Sequence, residues 1–235
     1  MTKIHGAFQY SEPKSAAIKT AGRLLYSAFE VLLWNSWFRN RCLIRGEPPA
    51  GSFVLTSNHS SYLDWLFLDV ILRRKFHRKI TFLAKRKVVQ NPVWRALATE
   101  CGAIVFDESA KSKAIALAVR VFANGDSETK PIVAIFPEGT RSRTGEKIVS
   151  SGGAAWLARK CAVSVVPVAL CGFWEAWPPQ RRVPRFKGQS LAVHFLSPIT
   201  PSDFADDQAT VDCAMNRVYE IVRRDRAARL QTNGD

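Results

Sequence analysis

Two short polar segments carry the residue types that could do chemistry. The first is NHSSYLD, Asn58 to Asp64, with a histidine and an aspartate five positions apart. A histidine titrates near neutral pH and can take a proton from a hydroxyl. It does so better when a carboxylate on its other ring nitrogen fixes the tautomer and steadies the charged form. Five residues of regular helix turn through about 500°, which puts His59 and Asp64 on different faces. The two can meet only if His59 lies in the turn ahead of a helix and points back over its first turn. The same residues also spell a capping box, with Ser61 as N-cap and Asp64 three positions on. The spacing alone leaves both readings open: a base with its carboxylate, or a helix cap beside a loop histidine.

The second segment is FPEGTRS, Phe136 to Ser142. Gly139 permits backbone conformations that a side chain would block. Arg141 offers a planar fork suited to phosphate oxygens. Glu138, acceptor-only when ionised, could hold a glycerol hydroxyl or brace the arginine. Taken alone, the segment is equally a polar loop with a surface ion pair.

The elements that must position these segments read as strands alternating with helices. Apolar runs predict strands at 52–57, 79–85, 102–106, 131–136, 163–170 and 190–197. Helices are expected over 14–42, from about Ser61, over 91–100, from Ser109 to Ala123, over 152–160 and from Ser202 to Leu230. The alternation implies an α/β fold with a largely parallel or mixed central sheet flanked by helices. In such sheets sites form at the carboxyl ends of strands. His59 follows one strand directly and Glu138 another.

The chain has 235 residues, 47% of them hydrophobic, enough for one sizeable core. The five cysteines form no C-x-x-C pair, which argues against a zinc site or disulfide framework. A net charge of +14 favours anionic partners. Leu24 to Phe38 is apolar, interrupted by Glu30, and short for a spanning helix. With Trp34 and Trp37 beside cations it suits a helix at a membrane interface, or one packed on the protein's own core.

The blocks NHSSYLD, CGAIVFD, FPEGTRS and VVPVAL, in this order and at these separations, resemble the glycerolipid acyltransferase family. Its best-known members are the 1-acylglycerol-3-phosphate (lysophosphatidic acid) acyltransferases. The resemblance covers roughly Gly51 to Leu170. It implies that His59 is the general base on the acceptor hydroxyl and that Asp64 orients it. It implies that Glu138, Gly139, Thr140 and Arg141 bind the acceptor, with Arg141 on its phosphate, and that Val166 and Pro167 support the acyl-chain or acceptor side. It implies direct attack on the thioester of acyl-CoA or acyl-carrier protein, as co-substrate, without metal or other cofactor. The organisation expected is a membrane-associating helical segment over residues 1–45 and an acyltransferase domain over 46–235, at the cytoplasmic face of a membrane. Backbone N–H groups of Ser60 and Ser61 are candidates for the oxyanion site.

Two features depart from the family. Its second block usually ends Asp-Arg, whereas this chain has Asp107-Glu108. A lysine expected after the third block is missing from IVSSGG, Ile148 to Gly153. Lys85, Lys111, Lys113 and Arg141 are the candidates to compensate; otherwise the acceptor is another lysolipid, such as a lyso-ornithine lipid. The basic run Arg73 to Lys87, with eight Lys or Arg residues and no acid, suits anionic lipid or acidic carrier protein. It also suits a non-enzymatic lipid- or nucleic-acid-binding protein. No common nucleic-acid-binding signature is present, so no nucleic-acid partner is expected.

Overall fold

A computed structural model describes residues 16–35, 42–125, 128–185 and 190–232. Its strands are β1 Cys42–Arg45, β2 Phe53–Ser57, β3 Ile80–Lys85, β4 Ile104–Phe106, β5 Ile132–Ile135, β6 Ser164–Cys171 and β7 Leu191–Phe195. Its helices are α1 Ala16–Leu33, α2 Asp64–Phe76, α3 Pro92–Glu100, α4 Lys111–Ala123, α5 Gly153–Lys160, the short α6 Phe173–Ala176 and α7 Asp207–Thr232.

The strands form one sheet in the order β1-β7-β6-β2-β5-β3-β4. Strands β6, β2, β5, β3 and β4 run parallel; β7 is antiparallel to β6 and carries β1 parallel to itself. The central strands are continuous apolar runs because helices cover both faces. Alternate residues of β2 feed two cores. Phe53 and Leu55 face the cluster that holds Leu66, Phe67 and Leu97, under α2 and α3. Val54 faces Ala118, Ala154, Val211 and Val218, under α4, α5 and α7.

Local signals explain most element ends. Asn91 caps α3, its side chain accepting from Val93 N–H at 2.9 Å, with Pro92 in the first turn. Gly172 turns the chain from β6 into α6 at φ +81°, where a Cβ would meet the Ser190 carbonyl oxygen at 2.4 Å.

Two expectations change. The helix expected from Ser61 begins at Asp64, because the Asp64 carboxylate holds the N–H groups of Ser60 and Ser61 in the turn before it. The boundary drawn at residue 46 places β1 with the leading segment, yet β1 pairs along β7 and belongs to the sheet. Its four half-exposed residues carry too little apolar periodicity to stand out.

Helix α1 meets the body with one face. Buried Tyr26 donates its hydroxyl to Asp69 on α2, and Glu30 pairs with Arg74 at 2.8 Å. Leu24, Leu25, Val31 and Leu32 lie exposed on the other face. No helix among the described residues is long and apolar enough to cross a membrane. Trp37 lies outside the described residues; Trp34 packs partly against the core.

Candidate active site

Strands β2 and β5 are parallel neighbours, with Thr56 opposite Ile135. Their carboxyl ends therefore lie side by side, and the two polar segments meet there. His59 is the hub. Its backbone N–H donates to Glu138 Oε2 at 3.2 Å, and its carbonyl accepts from Ser142 N–H at 2.7 Å. Its ring stacks on Phe136, centroids 4.2 Å apart. Asn58, buried, hydrogen-bonds both backbone groups of Leu170 on β6, at 3.0 and 2.8 Å. The first sequence block thus meets the third through His59 and the fourth through Asn58.

The carboxylate of Asp64 is fully buried. One oxygen, Oδ2, accepts from His59 Nδ1 at 2.8 Å, from Ser60 N–H at 2.7 Å and from Ser61 N–H at 2.8 Å. The same oxygen thus holds the turn ahead of α2 and orients the histidine, while the N-cap position falls on Leu63, without a side-chain cap. The expected half of the capping box from Ser61 is displaced: its hydroxyl donates to the Trp177 carbonyl and accepts from Leu63 N–H. Because Asp64 accepts from Nδ1–H, the basic lone pair is on Nε2. His59 is 19% exposed, so that base stands at the protein surface. The N–H groups of Ser60 and Ser61 proposed for an oxyanion site are engaged by Asp64, which removes them from that role.

Glu138 is turned inward rather than toward solvent, and only 8% of it is exposed. Oε2 faces His59 N–H and Oε1 accepts from the hydroxyl of Tyr219, on α7, at 2.5 Å. Burial pushes its carboxyl up to about 7; the Tyr219 and His59 hydrogen bonds pull the other way, and the Asp64 charge adds to the rise. Tyr219 escaped the sequence reading because a tyrosine among Val211, Val218 and Val222 reads as one more core residue of a helix.

Gly139 takes φ +64° just beyond Glu138, and the chain turns outward. Gly139 and Thr140 are exposed. Arg141 lies flat on the Tyr62 ring, its guanidinium carbon 3.6 Å from the centroid. Its Nη1 is buried and has no hydrogen-bond partner among the described residues. Tyr62 is itself held by Trp177 at 5.1 Å and Trp94 at 6.3 Å. Lys85 ends β3, one strand beyond β5. Lys113 is exposed on α4, after edge strand β4; the side chains of Glu108 and Lys111 lie outside the described residues. Val166 and Pro167 are buried in β6 beside β2, Pro167 opposite Thr56, and support the sheet under the site.

The basic stretches are largely engaged within the protein. Arg73 pairs with Asp69 at 2.8 Å and Arg86 with Asp107 at 2.7 Å, while Arg78 donates to three backbone carbonyls. Arg226 bridges Glu146 and Glu175.

Residues 43–171 match the family model described as Acyltransferase. The chain belongs to the Acyltransferase family. The matched residues contain His59, Asp64 and the whole loop from Phe136 to Ser142. Among curated members, the chain is 30% identical over 127 residues to 1-acyl-sn-glycerol-3-phosphate acyltransferase of Helicobacter pylori, covering 53% of this chain and 51% of that one. It is 27% identical over 193 residues to 1-acyl-sn-glycerol-3-phosphate acyltransferase alpha of Homo sapiens, covering 79% and 66%. The chain thus spans about half to two thirds of the length of these relatives. Among solved structures, the 1-acyl-sn-glycerophosphate (LPA) acyltransferase PlsC of Thermotoga maritima shares the fold, with a TM-score of 0.63 at 19% identity over 88% of this chain and 80% of that one. This acyltransferase-family chain carries Tyr219 and the rest of α7 beyond the matched residues.

Proposed function

We propose that the chain transfers a fatty acyl group from a thioester donor, acyl-CoA or acyl-carrier protein, to the free hydroxyl of a lysophospholipid. The acceptor is 1-acyl-glycerol-3-phosphate and the product phosphatidic acid. The observation that carries this reading is the His59–Asp64 pair, a fully buried carboxylate on Nδ1 of a histidine whose side chain is 19% exposed. Nε2 takes the hydroxyl proton as the acceptor oxygen attacks the thioester carbonyl. The tetrahedral intermediate collapses, the C–S bond breaks, and the imidazolium returns the proton to the departing thiolate. Asp64 steadies the imidazolium between the two steps.

Arg141 holds the acceptor phosphate. Its buried, unpartnered Nη1 and its fixed plane on Tyr62 favour a planar, bidentate anion contact. The exposed Leu24, Leu25, Val31 and Leu32 face of α1 lies on a membrane surface, where the net positive charge draws the protein to anionic lipid. The acceptor then reaches the site from the bilayer it already occupies, at the cytoplasmic face.

The test is thiol release from acyl-CoA and, separately, from acyl-carrier protein, with lysophosphatidic acid, lysophosphatidylcholine and a lyso-ornithine lipid as acceptors. Release with lysophosphatidic acid, lowered by at least about 100-fold in His59→Ala, is expected. His59-dependent release with another acceptor alone moves the substrate and keeps the chemistry. Release that survives in His59→Ala refutes the mechanism.

A further inference from the structure

We infer that Tyr219, on the C-terminal helix, is a positioning residue for acyl transfer: its hydroxyl holds Glu138, and Glu138 holds the backbone of His59. The inference rests on His59 being the base proposed above.

The geometry forms a chain of two hydrogen bonds. Tyr219 donates to Glu138 Oε1 at 2.5 Å, and His59 N–H donates to Glu138 Oε2 at 3.2 Å. Both side chains that carry the chain are buried, Tyr219 at 0% and Glu138 at 8% exposure, so water does not substitute for either partner. A carboxylate at this position aimed at substrate would face the exposed Gly139 and Thr140; this one faces the helix behind. Elsewhere α7 grips the same loop from the same side. Arg226 reaches Glu146 at 2.5 Å, Lys147 reaches Asn216 at 2.8 Å, and Gln208 donates to the Ser150 carbonyl at 3.0 Å. The residues 208, 216, 219 and 226 recur at helical spacing and form one face.

An ionised Glu138 accepts from both neighbours at once. A protonated one keeps both only if the Tyr219 hydroxyl turns from donor to acceptor. The charged and titratable groups facing Glu138 are His59 and Asp64 from the loop after β2 and Tyr219 from α7; Glu146 acts on Tyr219. The Tyr219 hydroxyl is the first of three donors, with the backbone N–H groups of His59 and Ile148, that hold the carboxyl down against burial, so its loss drives the carboxyl further up.

The experiment compares wild type, His59→Ala, Tyr219→Phe, Glu138→Gln and the Glu138→Gln/Tyr219→Phe double variant in the thiol-release assay across pH. Tyr219→Phe is expected to lower kcat roughly tenfold, the kinetic equivalent of one hydrogen bond to a charged group. KM for donor and acceptor stays within about twofold, and the acid limb of kcat/KM moves to higher pH. In the Glu138→Gln background, where no carboxyl titrates, the limb does not move and the kcat loss is smaller than in wild type. Tyr219→Phe with wild-type kcat and limb overturns the inference. So does a kcat loss that is equal in both backgrounds with the limb unmoved, since that is loss of packing. Turnover that is absent in wild type or independent of His59 overturns the acyl-transfer reading, and this inference with it.

Discussion

Replacing Glu138 by Gln should make the protein more stable, and by an amount that grows with pH. The carboxyl has an ordinary value of 4.5 and is raised by burial to about 7 in the fold. Below 4.5 the group is neutral in both folded and unfolded chains and contributes no penalty. Between 4.5 and about 7 the unfolded chain releases its proton while the folded chain keeps it, so stability falls as pH rises. Above 7 the full penalty is present. At about 1.4 kcal/mol per unit, the gap comes to roughly 3 kcal/mol. Gln has nearly the same shape and cannot ionise. Its carbonyl can accept from His59 N–H and its amide can donate to the Tyr219 oxygen. The assay is urea unfolding of both proteins at pH 5 and pH 8.5, read as the difference in free energy between them. The Glu138→Gln advantage should rise by roughly 2–3 kcal/mol from the lower to the higher pH, or by roughly 4–12 °C in Tm for a domain of this size. An advantage that does not change with pH would mean that Glu138 ionises as a solvated carboxyl does, and the inward geometry would be wrong.

Three further outcomes follow from the same contacts. Asn58→Ala removes both bonds to the Leu170 backbone and leaves a buried N–H and C=O unsatisfied; chemical denaturation should show a loss of roughly 2–5 kcal/mol. Arg141→Lys keeps the charge but loses the flat contact on Tyr62, so KM for a phosphate-bearing acceptor should rise about tenfold or more with kcat nearly unchanged. Equal effects with an acceptor lacking that phosphate would speak against the contact. Leu24→Glu with Leu32→Glu, on the exposed face of α1, should weaken co-sedimentation with anionic vesicles by about tenfold or more while leaving the unfolding free energy within about 1 kcal/mol of wild type.

Much of the fold could be read from local pattern. Strands β2, β5 and β6 are apolar runs ended by Ser57, Pro137 and Gly172, and the polar segments fall where those runs stop. That His59 and Glu138 share a site follows from two parallel strands ending together. Strand order did not follow, because the reversal of β7 against β6 depends on pairing between distant segments. The half-exposed β1 lacks a signal of its own. Within the site, spacing left open whether Asp64 meets His59 or caps a helix; the coordinates show one oxygen holding both the ring Nδ1 and the turn of Ser60 and Ser61. The direction of Glu138 was not legible, because a carboxylate at a strand end can turn either way. What turns it inward is a tyrosine 81 residues later, in a helix whose pattern announces only burial.

That separation has a consequence for how the chain matures. Glu138 comes 79 residues after His59, and Tyr219 comes 81 residues after Glu138. A ribosome releases these segments in that order. The histidine emerges first, the loop that grips its backbone follows, and the helix that fixes the loop emerges after both. A nascent chain that holds α2 and β5 therefore still lacks the tyrosine that keeps Glu138 against the His59 backbone. The hold of Tyr219 and Glu138 on the His59 backbone is complete only after residue 219 has emerged.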